Sequence, residues 1–321
     1  MSVAKFCSAI VYSSSKFIPG LWGIMIVSLC TWSCETKSTS QVNKPKILVT
    51  TLMLQEGIAF MTEGYAEVDV LMGPGVDPHL YKPTPEDLRK MREADILILN
   101  GLHLEGRLSE ITKALNKDKK VYYLSDYIPA SEILYSGDIA TSPDPHIWMA
   151  PTLWATGMKA LGRALGAEFK QDSILSSRGD LYADSLMRLN AEIQAGLNKI
   201  PPSNRVLVTS HDAFRYFGKA YNWEVKGLQG ISTSSDIGIR EVRDLVSFLC
   251  QRRLPTVFPE SSVSIRNLEA VVRACKEKGH LVETGPHLYT DAPGNAGTPE
   301  GTYSGMLKYN QEILSQWLQT R

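Results

Sequence analysis

The sequence predicts an α/β protein of two lobes, each a parallel β-sheet flanked by helices, joined by a single long α-helix. Short apolar or β-branched runs alternate with helix-length segments, the same order recurs in the second half, and a proline-free amphipathic segment lies between the halves. The 321 residues, 43% of them hydrophobic, are enough for two domain-sized lobes. Such alternation is typical of parallel sheets covered by helices.

Both halves are expected to contain four strands. In the first half the strands are residues 46–51, 68–72, 96–100 and 121–124, with helices around 58–64, 84–94 and 105–115. Thr84 is expected to cap the second of these helices, because a proline and two acidic residues follow it. In the second half the strands are near 206–209, 225–228, 256–258 and 281–283, with helices near 213–220, 238–253, 264–278 and 303–319.

The segment 178–200 is the predicted linking helix. Its apolar residues recur at steps of three or four and trace one helical face, formed by Tyr182, Leu186, Leu189, Ile193, Leu197 and Ile200. At about 1.5 Å per residue the helix is roughly 35 Å long. Two prolines then end it. This divides the chain into an N-terminal lobe at 46–177 and a C-terminal lobe at 201–321, between which we expect little motion, since bending the helix breaks backbone hydrogen bonds.

The amino terminus has the pattern of a secretory signal. Two lysines precede an uncharged apolar stretch from 17 to 34, which prolines and glycines interrupt and which is short for a membrane span. The tetrapeptide ending at Cys34 resembles a bacterial lipobox. Residues 1–34 are therefore expected to be a signal peptide, with Cys34 lipidated and 35–45 a flexible tether to the membrane. Plain signal cleavage near Ser33 is the alternative, and either outcome places the protein in the periplasm or on the cell surface.

The remaining composition excludes some functions. The formal net charge is zero, so nucleic acid is not an expected partner. Cys250 and Cys275 lie on consecutive predicted helices, where a disulfide and two buried thiols are equally compatible with an oxidising compartment. Neither has the spacing of a thiolate zinc site.

Three of the six histidines follow predicted strands or occupy similar loops. His79 and His146 both stand in the tripeptide Asp-Pro-His, where proline restricts the backbone just before the imidazole. Asp77 and Asp144 are placed to orient a ring nitrogen or cap the turn. His211 comes directly after its strand, and loops at the carboxyl ends of parallel strands are where α/β sheets hold ligands.

Asp291 is the candidate fourth ligand. It lies in a glycine-rich loop after the last predicted strand and carries the oxygen donor that the histidines lack. Three imidazoles and one carboxylate suit zinc, manganese or ferrous iron. The sequence therefore predicts a divalent metal site formed by His79, His146, His211 and Asp291.

Several motifs, in this order and spacing, resemble the zinc- and manganese-binding solute-binding lipoproteins of metal ABC importers. They are Asp-Pro-His-Leu-Tyr, Asp-Pro-His-Ile-Trp, Thr-Ser-His-Asp-Ala-Phe, Gly-Ile-Ser-Thr-Ser and Tyr-Thr-Asp. The resemblance covers essentially the whole mature chain. It implies two α/β lobes joined by one long helix, the same four ligands, Mn²⁺ or Zn²⁺ as cargo, and a permease with its ATPase as partners. A monomer without enzymatic activity is expected.

The sequence leaves the cargo open. Zinc-dedicated relatives usually carry a histidine-rich loop before the second ligand, whereas residues 127–145 contain no histidine, which favours manganese. Many manganese-dedicated relatives place glutamate where this chain has His211, and a third imidazole favours zinc. Zinc outbinds manganese at almost any such site, so the cargo depends on supply.

The remaining histidines and one glutamate are candidates for lesser roles. His103 is expected at the surface or in a packed position, and His280 is expected to interact with the carbonyl groups at the end of its helix. His287 is a secondary ligand candidate, ranked below the four. Glu260 ends a predicted strand, where a structural carboxylate is expected and a substitute ligand is the minority interpretation.

Two other functions compete with metal transport. One alternative is a metal-dependent phosphohydrolase, whose pattern of His, His-Asp and Asp is matched by His79, His146, His211-Asp212 and Asp291. That pattern normally lies on packed helices, whereas His211 and Asp212 directly follow a predicted strand. A surface adhesin with a structural metal is the second alternative. Reversible loss of metal without loss of fold would favour a carrier.

Overall fold

The structure is a computed structural model that describes residues 44–115, 119–136 and 142–319. The expected signal peptide, the lipidation site at Cys34 and nearly all of the expected tether lie outside these residues. Within the described ranges, no helix combines the length and the apolar character needed to cross a membrane.

The first half of the described chain forms one four-stranded parallel sheet. Strands β1 (Lys46–Val49), β2 (Glu67–Val70), β3 (Ile96–Leu99) and β4 (Lys120–Tyr123) lie in the order β2-β1-β3-β4. Helices α1 (Leu52–Thr62), α2 (Pro85–Glu93) and α3 (Ser109–Leu115) connect them. The central strand β3 is buried throughout, which is why it reads as a continuous apolar run. Thr84 forms the expected cap of α2, with a reciprocal capping box to Asp87.

The second half repeats the arrangement with shorter outer strands. Strands β5 (Val206–His211) and β6 (Glu224–Gln229) pair in parallel, as do β7 (Thr256–Val257) and β8 (Glu283–Thr284). A single parallel bridge from Thr209 to Phe258 joins the two pairs. Helices α6 (Arg215–Tyr221), α7 (Ile239–Arg252), α8 (Arg266–Glu277) and α9 (Tyr303–Leu318) complete this half. Parallel sheets flanked by helices confirm the predicted fold class.

The helical layer between the sheets contains one expected helix and one that the sequence analysis did not assign. The linking helix α5 spans Asp172–Leu197, so it begins before the predicted start at Arg178 and ends before the predicted end at Ile200. All six residues of its predicted apolar face are buried. Helix α4 (Pro151–Glu168) packs along it and was missed. A Cβ atom added to Gly162 of α4 would lie 3.1 Å from Cα of Gly179 on α5, so glycine permits this close approach.

The main hydrophobic cluster draws residues from both halves of the chain. It extends from Ile47 on β1 through Trp154 on α4 and Leu186 on α5 to Phe258 after β7 and Tyr303 on α9. The described residues accordingly form one compact unit. The lobe boundaries at 177/178 and 200/201 stay a prediction.

The two cysteines of the second half are free thiols in this structure. Cys275 is buried on α8, and its side chain hydrogen-bonds that of Cys250 on α7. Burial raises the pKa of the Cys275 thiol to about 12.

Candidate metal centre

Four side chains from distant parts of the chain meet at the carboxyl ends of the strands. His79 lies in the loop after β2, His146 precedes α4, His211 is the last residue of β5, and Asp291 follows β8. One ligand atom from each lies within 4.8 Å of the others, and all four residues are buried. The structure thus brings together the four residues that the sequence analysis singled out, in a group that could hold a metal ion.

The spacing of the donor atoms fits a small coordination shell. Nε2 of His146 lies 3.3 Å from Nε2 of His79 and 3.2 Å from Nε2 of His211. The carboxylate oxygens of Asp291 lie 3.5 Å from Nε2 of His146 and 3.5 Å from Nε2 of His211. Zinc bonds of about 2.0–2.1 Å place the corners of a tetrahedron roughly 3.3–3.4 Å apart. The two distances between imidazole nitrogens are close to that value.

Asp144 orients His146. Its Oδ1 lies 2.7 Å from Nδ1 of the imidazole and also accepts the backbone N–H of His146 at 3.1 Å. Both side chains have no exposed surface. With Nδ1 engaged by the carboxylate, Nε2 is the nitrogen that faces the cluster. Asp144 therefore both orients the ring and caps the turn, which are the two roles expected from the sequence.

Glu260 has the same relation to His211, although it comes from another strand end. Its Oε1 accepts the backbone N–H of His211 at 2.7 Å, and its Oε2 lies 2.5 Å from Nδ1 of the ring. The hydroxyl of Thr290 donates to Oε2 at 2.8 Å. Glu260 is thus a buried carboxylate that contacts the ligand candidate, in line with the structural role expected for it.

Asp77 fixes the backbone of His79 and not its ring. Oδ1 of Asp77 accepts the backbone N–H of His79 at 2.9 Å, and Oδ2 accepts the hydroxyl of Thr233 at 2.6 Å. Thr233 belongs to the loop after β6, so this carboxylate connects the two halves beside the cluster. Asp77 was expected either to orient a ring nitrogen or to cap the turn, and in the structure it caps the turn.

The protonation of the cluster follows from burial and from the carboxylates. Burial lowers the pKa of His79 to about 3. Burial acts the same way on His146, but Asp144 and Asp291 outweigh it and raise its pKa to about 9. The pKa of His211 is raised well above its usual value by Glu260 and Asp291, again against burial. Burial would raise the pKa of Asp291, but the surrounding histidines hold it well below its usual range.

Trp148 links the loops that carry His146 and Asp291. Its indole N–H donates to the carbonyl of Thr290 at 2.7 Å, and its own carbonyl accepts the hydroxyl of Tyr303 at 2.7 Å. The ring packs edge-on against His146, with centroids 5.2 Å apart. One buried side chain therefore sets the distance between a first-half and a second-half ligand candidate.

The other histidines lie outside the cluster. His103 is exposed, in a loop where its own φ is 65°. His280 follows α8, and its Nε2 lies 2.8 Å from the carbonyl oxygen of Leu254, which stands beyond the end of α7 and not at the end of α8. His287 is exposed and packs edge-on against Tyr289.

A metal-dependent phosphohydrolase would need Asp212 as a further ligand, but in the described ranges Asp212 does not belong to the metal-capable group. Its carboxylate lies 3.8 Å from the guanidinium of Arg215. The metal-capable group among the described residues contains His79, His146, His211 and Asp291 and omits Asp212.

The sequence analysis assigned no role to the hydroxyl residues that support the ligand candidates, although Thr233 and Thr290 stand inside two of the quoted motifs. Ser262 donates to Oδ2 of Asp291 at 3.2 Å, and Thr233 and Thr290 reach two of the carboxylates. Hydroxyl residues at strand ends are common, so their types alone carry no signal. The serine pair after Glu260 is the one local hint, since it follows a candidate strand that ends at the cluster.

The fold and the donor set define a class of α/β protein in which loops at strand ends surround a site for one cation. Residues 47–317 match the family described as "Zinc-uptake complex component A periplasmic". Because this match spans most of the 321 residues, the chain belongs to that family.

Named relatives are similar over nearly their full length. "Manganese-binding lipoprotein MntA" of Bacillus subtilis is 37% identical over 298 residues, covering 92% of this chain and 97% of the relative. "Zinc-binding protein TroA" of Treponema pallidum is 38% identical over 286 residues, covering 87% and 90%. "Manganese ABC transporter substrate-binding lipoprotein PsaA" of Streptococcus pneumoniae is 28% identical over 305 residues, covering 93% and 96%.

A solved structure matches the fold closely. The periplasmic zinc-binding protein TroA of Treponema pallidum superposes with a TM-score of 0.82 at 38% identity, covering 87% of this chain and all of that one.

Proposed function

We propose that this protein is an extracytoplasmic solute-binding protein that captures Mn²⁺ or Zn²⁺ and delivers it to an ABC-type permease and its ATPase. The observation that carries the proposal is the convergence of four buried donor atoms within 4.8 Å of one another. Membership of a zinc-uptake family, and relatives named as manganese- and zinc-binding proteins of ABC transporters, support the transport role.

His79, His146, His211 and Asp291 are the proposed ligands. Three imidazole nitrogens and a carboxylate form a donor set that suits zinc, manganese and ferrous iron. In His146 and His211 the Nδ1 atoms face Asp144 and Glu260, which leaves Nε2 of each neutral ring free to bind a cation. Zinc binds such a set more tightly than manganese, so the cargo in the cell depends on which ion is supplied.

A binding protein explains this site better than an enzyme. A catalytic metal needs an open coordination position beside a base, whereas a carrier surrounds its ion with protein ligands. The four donors here are all buried, and Asp212, the additional carboxylate of the phosphohydrolase pattern, pairs with Arg215. These contacts favour a carrier over the hydrolase alternative.

Delivery requires the loaded and empty forms to differ. Ligands from both halves of the chain surround the proposed ion, so binding draws the loops of the two halves together. A permease can distinguish the loaded protein from the empty one only if their conformations differ. The metal changes the balance between two conformations only if it binds one of them more tightly than the other. We propose that the two lobes, at 46–177 and 201–321, present this difference while helix α5 limits its size.

Anchoring at the membrane belongs to the same proposal. A lipid on Cys34 would hold the protein near its permease, with residues 35–45 as the tether. Two of the relatives are named as lipoproteins, which supports this assignment. Mass spectrometry of the protein from membranes would detect the acylated cysteine as the first residue.

Metal binding by paired variants tests the ligand assignment. His211→Ala and Asp291→Asn should keep the fold and lose most of their affinity for Mn²⁺ and Zn²⁺, since each removes one of four donors. His287→Ala is the matched control, because this histidine is exposed and lies outside the cluster. One metal ion per protein in the wild type and the control, with little in the two variants, is the expected result. Unchanged metal content in His211→Ala would show that the assignment is wrong.

A further inference from the structure

The two oxygens of the Asp291 carboxylate are not equivalent. Oδ2 accepts a hydrogen bond from the hydroxyl of Ser262 at 3.2 Å and lies 3.5 Å from Nε2 of His211. Oδ1 lies 3.5 Å from Nε2 of His146 and, among the described residues, has no hydrogen-bond partner although it is buried. One oxygen is therefore partly occupied by a hydroxyl, while the other is free to donate to a cation.

Ser262 reaches the carboxylate from a segment that supplies no ligand candidate of its own. It stands shortly after β7, two positions beyond Glu260. Its hydroxyl also lies 3.4 Å from the hydroxyl of Thr290. Asp291 is the nearer of these two partners, and Ser262 is part-buried beside it. The loop after β7 thus contacts both second-half ligands, His211 through Glu260 and Asp291 through Ser262.

A hydrogen bond from a hydroxyl to one carboxylate oxygen affects the affinity for Zn²⁺ and the affinity for Mn²⁺ to different extents. A lone pair that accepts a hydrogen bond donates less to a metal, so the carboxylate is biased towards binding through its other oxygen. Zinc is satisfied by four donors in a tetrahedron. Manganese suits oxygen-rich sites with more ligands, so it benefits more from a carboxylate that binds through both oxygens.

We propose that Ser262 is a specificity-determining residue that restrains Asp291 to donate mainly through Oδ1 and so lowers the affinity for Mn²⁺ relative to Zn²⁺. This inference rests on the proposed metal-binding function. It assigns the balance between the two cations to a residue that contacts the carboxylate and leaves the four ligands themselves unchanged.

The test compares Ser262→Ala with two controls. Ser262→Thr retains the hydroxyl, and Ser261→Ala removes the hydroxyl of a neighbouring exposed residue whose backbone N–H donates to the carbonyl of Leu288. The dissociation constants for Mn²⁺ and for Zn²⁺ are measured for each protein by competition with a chelator of known affinity. Ser262→Ala should lower the ratio of the Mn²⁺ dissociation constant to the Zn²⁺ dissociation constant by about tenfold, the low end of the range by which residues around metal ligands change metal affinity. Both controls should keep the wild-type ratio.

The outcomes separate this inference from the proposed function. The role of Ser262 would be overturned if Ser262→Ala leaves the ratio of the two dissociation constants unchanged, including by weakening the affinity for both cations equally. A rise in that ratio, which means a stronger preference for Zn²⁺, would overturn it as well. In each case the wild type still binds metal. A change in Ser262→Thr as large as that in Ser262→Ala would also overturn it, since the hydroxyl is retained. Failure of the wild type to bind either cation would instead overturn the proposed function.

Discussion

The carboxylate of Glu260 contacts His211 twice, through the backbone N–H at 2.7 Å and through Nδ1 of the ring at 2.5 Å. The first contact places the end of strand β5, and the second sets the rotation of the imidazole. Because the same carboxylate accepts the hydroxyl of Thr290, it also holds the segment that leads into Asp291. A single residue after β7 therefore positions two ligand candidates of the second half.

Glu260→Gln should weaken metal binding without unfolding the protein. An amide keeps the shape of the side chain but removes the negative charge beside Nδ1. The tautomer of His211 that carries its proton on Nδ1 and offers the Nε2 lone pair to the cation is then less favoured. We expect the affinity for Zn²⁺ to fall by about 10- to 100-fold, measured by chelator competition. Glu277→Gln, at an exposed position at the end of α8, is the control. Wild-type affinity in Glu260→Gln would show that the contact has no part in binding.

Metal affinity should continue to rise with pH beyond the ordinary histidine range. A proton on His146 blocks its donor atom, and its pKa is raised to about 9 by Asp144 and Asp291 against the effect of burial. The empty site therefore still holds this proton at neutral pH and loses it as the pH increases towards 9. His79, with a pKa lowered to about 3 by burial, contributes no such dependence.

Titration of Mn²⁺ affinity against pH checks this expectation. Asp144→Asn removes the largest raising influence on His146, so the part of the rise that belongs to His146 should move to lower pH, while the part that belongs to His211, whose pKa is also raised, should remain. A wild-type curve that is already flat above the ordinary histidine pKa would contradict the prediction.

Trp148→Phe should reduce both stability and metal affinity. The change removes the indole N–H that reaches Thr290 and leaves a buried carbonyl without that partner. An unsatisfied buried group costs about 1–3 kcal/mol, so the free energy of unfolding measured in urea should fall by that amount. Trp223→Phe is the matched control, because the indole N–H of that buried tryptophan has no hydrogen-bond partner within the described ranges. Equal losses in the two variants would argue against a specific role for the link.

Removal of metal should leave the fold intact and lower the melting temperature. The main core lies in the sheets and in α4, α5 and α9, and the ligand candidates keep protein partners such as Asp144 and Glu260. A cation that binds only the folded protein adds about 2.7 kcal/mol at a free concentration 100 times its Kd. Circular dichroism before and after chelation, with thermal unfolding of both forms, measures the two effects. Loss of the helical signal on chelation would instead favour a structural metal, as in the adhesin alternative.

The fold was accessible from the sequence where local patterns and packing agree. Strand β3 and the last three residues of β1 are buried apolar runs, and one face of α5 is apolar at helical spacing. Helix α4 was missed, because glycines at its packing face lower its intrinsic helix propensity and its stability depends on contact with α5. The short strands β7 and β8 were placed only roughly, since two residues each leave little periodic pattern.

By itself, the sequence predicted the four donor-bearing residues and placed His79, His211 and Asp291 in loops after parallel strands, because proline-restricted histidines and strand-end loops are local features. Only the tertiary structure decided that Glu260 serves the imidazole of His211 and which hydroxyl contacts Asp291. Glu260 and His211 are 49 positions apart, and Ser262 and Asp291 are 29 apart. Contacts of that kind arise when separate strands end at one edge of a sheet, and no local pattern in the chain specifies them.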